Sequence, residues 1–212
     1  MRIAVFASGR GTNFASIARA VKKGRVKAGL ALLVCDNPRA GVLGRARRAG
    51  VKVALVERKD FSTKAEFENK IIQFLEEEKI DLIVLAGFMR ILGPGLVAKY
   101  RNKIINIHPA ILPCFKGAQA IKDAFDYGAK VTGVTVHFVD EKTDHGPIIL
   151  QQAVKISPSD TLESLEAKIH KIEHRLYPRA VKLFVEGRLS LAGRQVKITA
   201  PEAPPAPPRG LK

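Results

Sequence analysis

"RIAVFASGRGTN", Arg2 to Asn13, is the stretch on which the fold turns. Its first half is a short apolar run of the kind found in strands buried on both faces. Its second half, "SGRGTN", places two glycines between that strand and a helix-like segment at 13 to 23. Strand, glycine turn and helix in that order form the opening unit of a parallel sheet, whose neighbouring strands are reached through crossovers.

The unit recurs along the chain. Apolar runs at 28 to 35, 51 to 56, 80 to 86 and 103 to 107 alternate with helix-like segments at 40 to 49 and 63 to 79, the last opening behind Ser62 or Thr63 as a cap. The expected fold is α/β: an open, mostly parallel, doubly wound (Rossmann-like) sheet with helices on both faces. After residue 130 the pattern changes. "KVTGVTVHF", 130 to 138, alternates in the antiparallel manner and can pair with 147 to 156. A long helix over 161 to 185 follows the cap in "SDTLESL", and "RLSLAGRQVKI" reads as a hairpin around Gly193. These segments predict an antiparallel C-terminal extension of the sheet. A single domain over 1–200 is expected, with a proline-rich, disordered tail over 201–212 that cannot build a core.

Composition narrows the function classes. No apolar run approaches the ~20 residues of a membrane span, and Met1 leads directly into a strand without a signal-peptide pattern. Cys35 and Cys114 stand far apart and outside any paired metal spacing, which fits free thiols in a cytoplasmic protein. There are 36 Lys and Arg against 20 Asp and Glu, a net +16, and the first 60 residues hold 14 basic and three acidic side chains. Such a field favours an anionic partner. The zinc-finger and aromatic-flanked basic patterns of nucleic-acid binders are absent, so a small anionic ligand is the expected partner, with no nucleic acid and no membrane.

Two places carry chemistry. At the first, Gly11, Thr12 and Asn13 precede a helix N-terminus, where backbone N–H groups and the helix dipole suit a phosphate. A dinucleotide fingerprint would need glycine where Phe14 stands, although Asp36 after the second strand could imitate a ribose-binding acid. Walker spacing fails as well, and the plain alternative is a tight turn with Thr12 or Asn13 as an ordinary N-cap. The second place is "INIHPAILP", 105 to 113, where an apolar strand ends in an amide, Asn106, and an imidazole, His108. In open parallel sheets the carboxyl ends of the strands converge on the ligand. There "AGFMRIL", 86 to 92, can line an apolar slot for a flat ring with Phe88, Met89 and Ile91. "GVTVHFVDEKTDHGPII" supplies Asp140, Glu141 and Asp144, and a carboxylate facing His108 would favour its imidazolium.

Together "SGRGTN", "LAGFMRIL", "NIHPAILP", "GVTVHFVDE" followed three residues later by Asp144, and "IEHRLYP" resemble the glycinamide ribonucleotide formyltransferase family, in order and spacing, over residues 2 to 190. The resemblance implies a single formyltransferase domain that moves a formyl group from 10-formyltetrahydrofolate, as cosubstrate, to the amine of 5-phosphoribosylglycinamide in purine synthesis. It implies Asn106, His108 and Asp144 as the catalytic trio. Gly11, Thr12 and Asn13 would hold the ribonucleotide phosphate, and His170, Lys171, Ile172 and Glu173 its glycinamide end. The folate would lie on Met89, Arg90, Ile91 and Leu92 and on Asp140, Glu141, Lys142 and Thr143, with Lys64 near its glutamate tail. No metal is implied, and the chain would act as a monomer or homodimer. It departs from the pattern at Gln119, where relatives carry histidine, and at Lys142 and His145, in a loop otherwise rich in small residues.

Three rival readings of the sequence stand beside this one. "HKIEH", 170 to 174, matches an H-x-x-E-H zinc motif, with little chain after it for a third ligand. A formyltransferase acting on another amine, such as methionyl-tRNA, would carry a further RNA-binding domain. The last is a non-catalytic phosphate-ligand binding module built on the same glycine loop.

Overall fold

The computed structural model describes residues 1–200, and the tail expected over 201–212 lies outside the described residues. The strands are β1 (Arg2–Phe6), β2 (Gly29–Cys35), β3 (Lys52–Leu55), β4 (Leu82–Leu85), β5 (Ile104–His108), β6 (Val131–Phe138), β7 (Ile148–Lys155), β8 (Leu189–Ala192) and β9 (Gln195–Ile198). The helices are α1 (Thr12–Lys22), α2 (Gly41–Arg48), α3 (Lys64–Glu77), α4 (Pro94–Lys99), α5 (Ala120–Asp126) and α6 (Leu162–Val185). One open sheet runs β3-β2-β1-β4-β5-β6-β7-β9-β8. β1 to β5 are parallel, while β6 lies antiparallel to both β5 and β7.

Alternation along each strand divides the core into two layers. Ile3 and Val5 face α1, α2 and α6 with Phe14, Ile17, Val42 and Leu165. Ala4 and Phe6 face α3 and α4 with Phe67, Ile71, Leu75 and Leu96. The apolar density of these strands follows, since neither face of the parallel part meets water. Because β1 has β2 on one side and β4 on the other, the crossovers diverge there and leave a crevice at the carboxyl ends of the strands.

Local signals explain most boundaries. Thr63, of the two candidates, caps α3: its hydroxyl accepts the Glu66 N–H at 3.1 Å and the Glu66 carboxylate accepts the Thr63 N–H at 3.2 Å. This capping box contributes about 1 kcal/mol. Thr161 opens α6 in the same way with Ser164. The short helices α4 and α5 were not expected. α4 begins at Pro94-Gly95, a pair that reads as a turn, and at six and seven residues neither helix is long enough for periodicity to register. His108 also proves to be the last residue of β5, whereas the sequence put the strand end at 107.

α6 is locked under the crevice by Tyr177. Its ring is fully buried, and its hydroxyl lies 2.6 Å from the Leu85 carbonyl and 3.1 Å from that of Ile105. Burial raises the phenol well above its ordinary range, so it stays a donor and ties α6 to β4 and β5 just before Asn106.

Candidate active site

A cavity of about 610 Å³ opens at the carboxyl ends of β1, β4 and β5. Its walls include Gly11, Thr12 and Asn13; Met89, Arg90, Ile91 and Leu92; Asn106 and His108; Asp140, Glu141, Lys142, Thr143 and Asp144; and His170 and Glu173. Sixteen of the expected site residues therefore share one chamber.

At one end stands the N-terminus of α1. Gly11 takes a left-handed φ of 74°, and a Cβ there would come within 2.5 Å of the Val42 side chain, so glycine is required by conformation and by space. No side chain caps α1 and no acid occupies its first turn, which leaves its leading amides and dipole facing the cavity. Neither Thr12 nor Asn13 is the ordinary N-cap of the plain alternative. Asn13 instead donates from Nδ2 to Glu173 at 3.0 Å, and its buried Oδ1 accepts no hydrogen bond. Glu173 also lies 2.9 Å from Nδ1 of His170, which raises the His170 pKa above its ordinary value. Arg10 reaches to within 3.5 Å of Nε2 of that ring.

At the other end the β5–β6 register sets Asn106 opposite His137 and His108 opposite Thr135. His108 is 3% exposed. Its Nε2 lies 2.7 Å from the Phe115 carbonyl, which can only accept, so Nε2 carries the proton; Nδ1 lies 3.3 Å from Asp144. Burial pushes the His108 pKa down and outweighs Asp144 and the Phe115 carbonyl, which act upward. The expectation from sequence, that a facing carboxylate favours the imidazolium, is reversed here. The correction is physical: taking the ring out of water costs the cation more than one carboxylate at that distance returns.

Asp144 stays ionised. Burial works to raise its pKa, but His137, the Gly117 N–H at 2.9 Å and His108 together draw it below the ordinary carboxylate value. Phe115 and Asp144, which both address His108, have left-handed φ values of 49° and 46°. Left-handed backbone at a non-glycine residue costs about 1–2 kcal/mol and gathers at sites held in place by their surroundings.

His137 is the residue that sequence reasoning missed. It is 2% exposed, and its Nδ1 lies 2.6 Å from the Phe138 carbonyl, so Nδ1 carries the proton and Nε2 accepts. Nε2 meets Asn106 Nδ2 at 3.2 Å, which fixes the amide with nitrogen toward the histidine; the second N–H reaches Asp144 only at 3.5 Å. The signal was available: in "VTVHF" the alternation that buries Val134 and Val136 sets Thr135 and His137 together on the other face.

Other expectations are displaced. Lys171 is exposed and Ile172 packs on the core, because at 100° per residue only His170 and Glu173 of that turn face inward. Lys64 lines an adjoining cavity of about 410 Å³ with Arg58 and Phe67, behind the wall formed by 88 to 92. Asp36 is not open to a ribose: its carboxylate accepts from Ser8 Oγ at 2.5 Å and Arg90 Nε at 2.6 Å, bracing the Met89–Leu92 wall. In the H-x-x-E-H segment the His170 and His174 rings stack at 6.4 Å while Glu173 turns to His170 and Asn13. Among the described residues no group of three or more His, Cys, Asp or Glu is arranged to hold a metal.

Comparison with known proteins agrees with this geometry. A family model described as formyl transferase matches residues 1–181. The phosphoribosylglycinamide formyltransferase of Bacillus subtilis is 48% identical over 181 residues, 85% of this chain and 93% of the relative. Among solved structures, glycinamide ribonucleotide transformylase 1 of Symbiobacterium toebii superposes with a TM-score of 0.92 at 41% identity, over 94% of each chain. The Geobacillus kaustophilus enzyme of the same name reaches 0.85 at 49% identity, over 87% of this chain and 98% of that one. Matches of that extent and identity place this chain in the formyl transferase family, within its phosphoribosylglycinamide formyltransferase group.

Proposed function

We propose that the chain transfers the formyl group of 10-formyltetrahydrofolate to the amine of 5-phosphoribosylglycinamide. The observation that carries the reading is the union, in one cavity, of an uncapped helix N-terminus suited to a phosphate and an amide, imidazole and carboxylate suited to acyl transfer. The phosphate would rest on the amides of Gly11, Thr12 and Asn13, and Glu173 would receive the glycinamide end. The pterin would enter against Met89 to Leu92 and Asp140 to Thr143.

Attack of the amine on the formyl carbon makes a tetrahedral intermediate with an oxyanion, and donors fixed beforehand stabilise it most. With one Asn106 N–H held by His137, the second, engaged by Asp144 only at 3.5 Å, is the donor left for that oxyanion. Neutral His108 suits the next need. One proton must pass from the attacking amine to N10 of the folate as the C–N10 bond breaks, and the imidazole relays it. Negative charge growing beside the ring offsets the burial cost, so the imidazolium forms only while that charge exists. Asp144 then holds it.

Action in the cytoplasm, as a monomer or homodimer, belongs to the same reading, and the unpaired thiols of Cys35 and Cys114 support a reducing compartment. No described helix is long and apolar enough to cross a membrane. The test is a substrate swap followed by the absorbance of the deformylated folate. Turnover is expected with phosphoribosylglycinamide and not with initiator methionyl-tRNA, and His108→Ala should abolish it. Undiminished turnover by that variant would remove His108 from the reaction.

A further inference from the structure

The β8–β9 hairpin reaches the loop beside the cavity through Arg194. Its turn, with Gly193 at φ 59°, brings Arg194 to the loop joining β6 to β7, beside the single parallel pairing of Gln195 with Ile148. Arg194 Nη2 donates to the His145 carbonyl at 2.6 Å, and Nη1 lies 3.3 Å from Nδ1 and 3.4 Å from Nε2 of the same residue's ring, over its face. His145 Nδ1 then meets Asp140 Oδ2 at 2.7 Å, while the other Asp140 oxygen accepts the Lys142 N–H at 3.0 Å. The loop is thus closed across its mouth by Asp140 and His145 and held from outside by Arg194. Its return leg is equally confined: a Cβ on Gly146 would lie 1.9 Å from the Phe138 carbonyl oxygen. Between these fixed points stands Asp144, left-handed and directed at His108 and Gly117.

We propose that Arg194 is a positioning residue for the reaction: through His145 and Asp140 it holds the 140–146 loop so that Asp144 stays against His108 and Asp140 to Thr143 stay against the folate side of the cavity. The proposal rests on the reading of Asp144 and the folate wall given above. His145 is the residue that makes the link, and its ring and carbonyl are both engaged. Arginine suits the other end because a planar guanidinium can donate to a carbonyl while lying over an imidazole ring, as an ammonium cannot. Burial alone would raise Asp140, but His145, the Lys142 N–H and Arg194 leave it below its ordinary value, so the loop keeps an ionised partner near neutral pH.

The test uses the full chain with Arg194→Ala, Arg194→Lys, His145→Ala and the double variant Arg194→Ala/His145→Ala. Brief trypsin treatment of the folded protein, read by mass for cleavage after Lys142, should run about fivefold faster in Arg194→Ala, the worth of a charge-assisted hydrogen bond on a solvent-facing loop. Arg194→Lys should recover part of the protection. In steady state the KM for the formyl donor should rise about fivefold and kcat fall, with the KM for the amine substrate unchanged. The double variant should exceed His145→Ala by less than Arg194→Ala exceeds wild type, since His145→Ala removes the ring but keeps the carbonyl that Arg194 also holds. Unaltered cleavage after Lys142 would overturn the clamp. Faster cleavage with wild-type kinetics, or equal rises in both KM values, would overturn the positioning role. Cleavage needs no turnover, so the clamp is judged separately from the catalytic reading, which His108→Ala tests.

Discussion

Two histidines at opposite ends of one cavity each face a carboxylate, and their pKa values move in opposite directions. His170, one-third exposed beside the N-terminus of α1, lies 2.9 Å from Glu173 and is raised. His108, buried at the end of β5, lies 3.3 Å from Asp144 and is lowered. Two things differ: His170 is hydrogen-bonded to its carboxylate, whereas His108 meets Asp144 through charge alone and is more completely removed from solvent. A charge near water gains from its partner at little desolvation cost, while a charge in the interior must first be taken from water, so the partner only reduces a loss. The two ends are thereby suited to different tasks. The outer end favours an imidazolium paired with Glu173, and the inner end favours the neutral ring.

If that division is right, the largest effects belong to the inner end. Asn106→Ala and Asp144→Asn should each lower kcat about 10²- to 10³-fold with little change in either KM, since what is lost is stabilisation of charge that exists only at the barrier. The comparison breaks if either variant keeps kcat within a factor of ten or loses rate only through KM. His170→Asn at the outer end serves as the contrast within the same assay, acting on the amine substrate's KM.

His137 sharpens the contrast. It touches no expected position of the reacting atoms, yet its Nε2 fixes which face of the Asn106 amide is nitrogen. His137→Phe fills similar space without an acceptor, and kcat should fall about tenfold, the cost of one unmade buried hydrogen bond. His137→Gln returns an acceptor and should recover part of the rate. Equal rates for the two variants would show that volume matters there and amide orientation does not.

Much of this was legible in the chain because one pattern encodes it twice. The runs at 2 to 7, 28 to 35 and 80 to 86 are apolar on both faces because helices cover both, and that same parallel order directs their carboxyl ends, with Gly11, Met89 and Asn106, to one crevice. Three things were not legible. α4 and α5 are too short for a period. His137 needs the β5–β6 register, a pairing between residues 31 apart in sequence, before it stands opposite Asn106. The direction of the His108 shift depends on how completely the ring is covered, and coverage comes from residues scattered over the chain: Phe115, Asp144 and the walls of the crevice. Sequence names a histidine's partner more readily than its solvent.

The smallest effect is the one that isolates solvent. For a group whose folded pKa lies below its unfolded value, the unfolded chain binds more protons between the two, so stability rises with pH across that interval. His108 fits this case: its contribution is complete above the ordinary 6.5 and is lost as pH falls from there toward its folded value. His174, also lowered by burial, acts in the same sense. His170 is the reverse, contributing fully below 6.5 and losing that contribution as pH rises through its raised folded value. Thermal melts from pH 5 to 8 should therefore respond oppositely. His108→Gln should flatten the fall in Tm toward pH 5, and His170→Gln should flatten the fall toward pH 8. Each variant is compared with its own plateau, so a uniform loss from repacking leaves the slopes untouched. A steeper acid fall in His108→Gln would mean that the buried ring is already cationic in the free protein, and the two ends of the cavity would then differ in position alone.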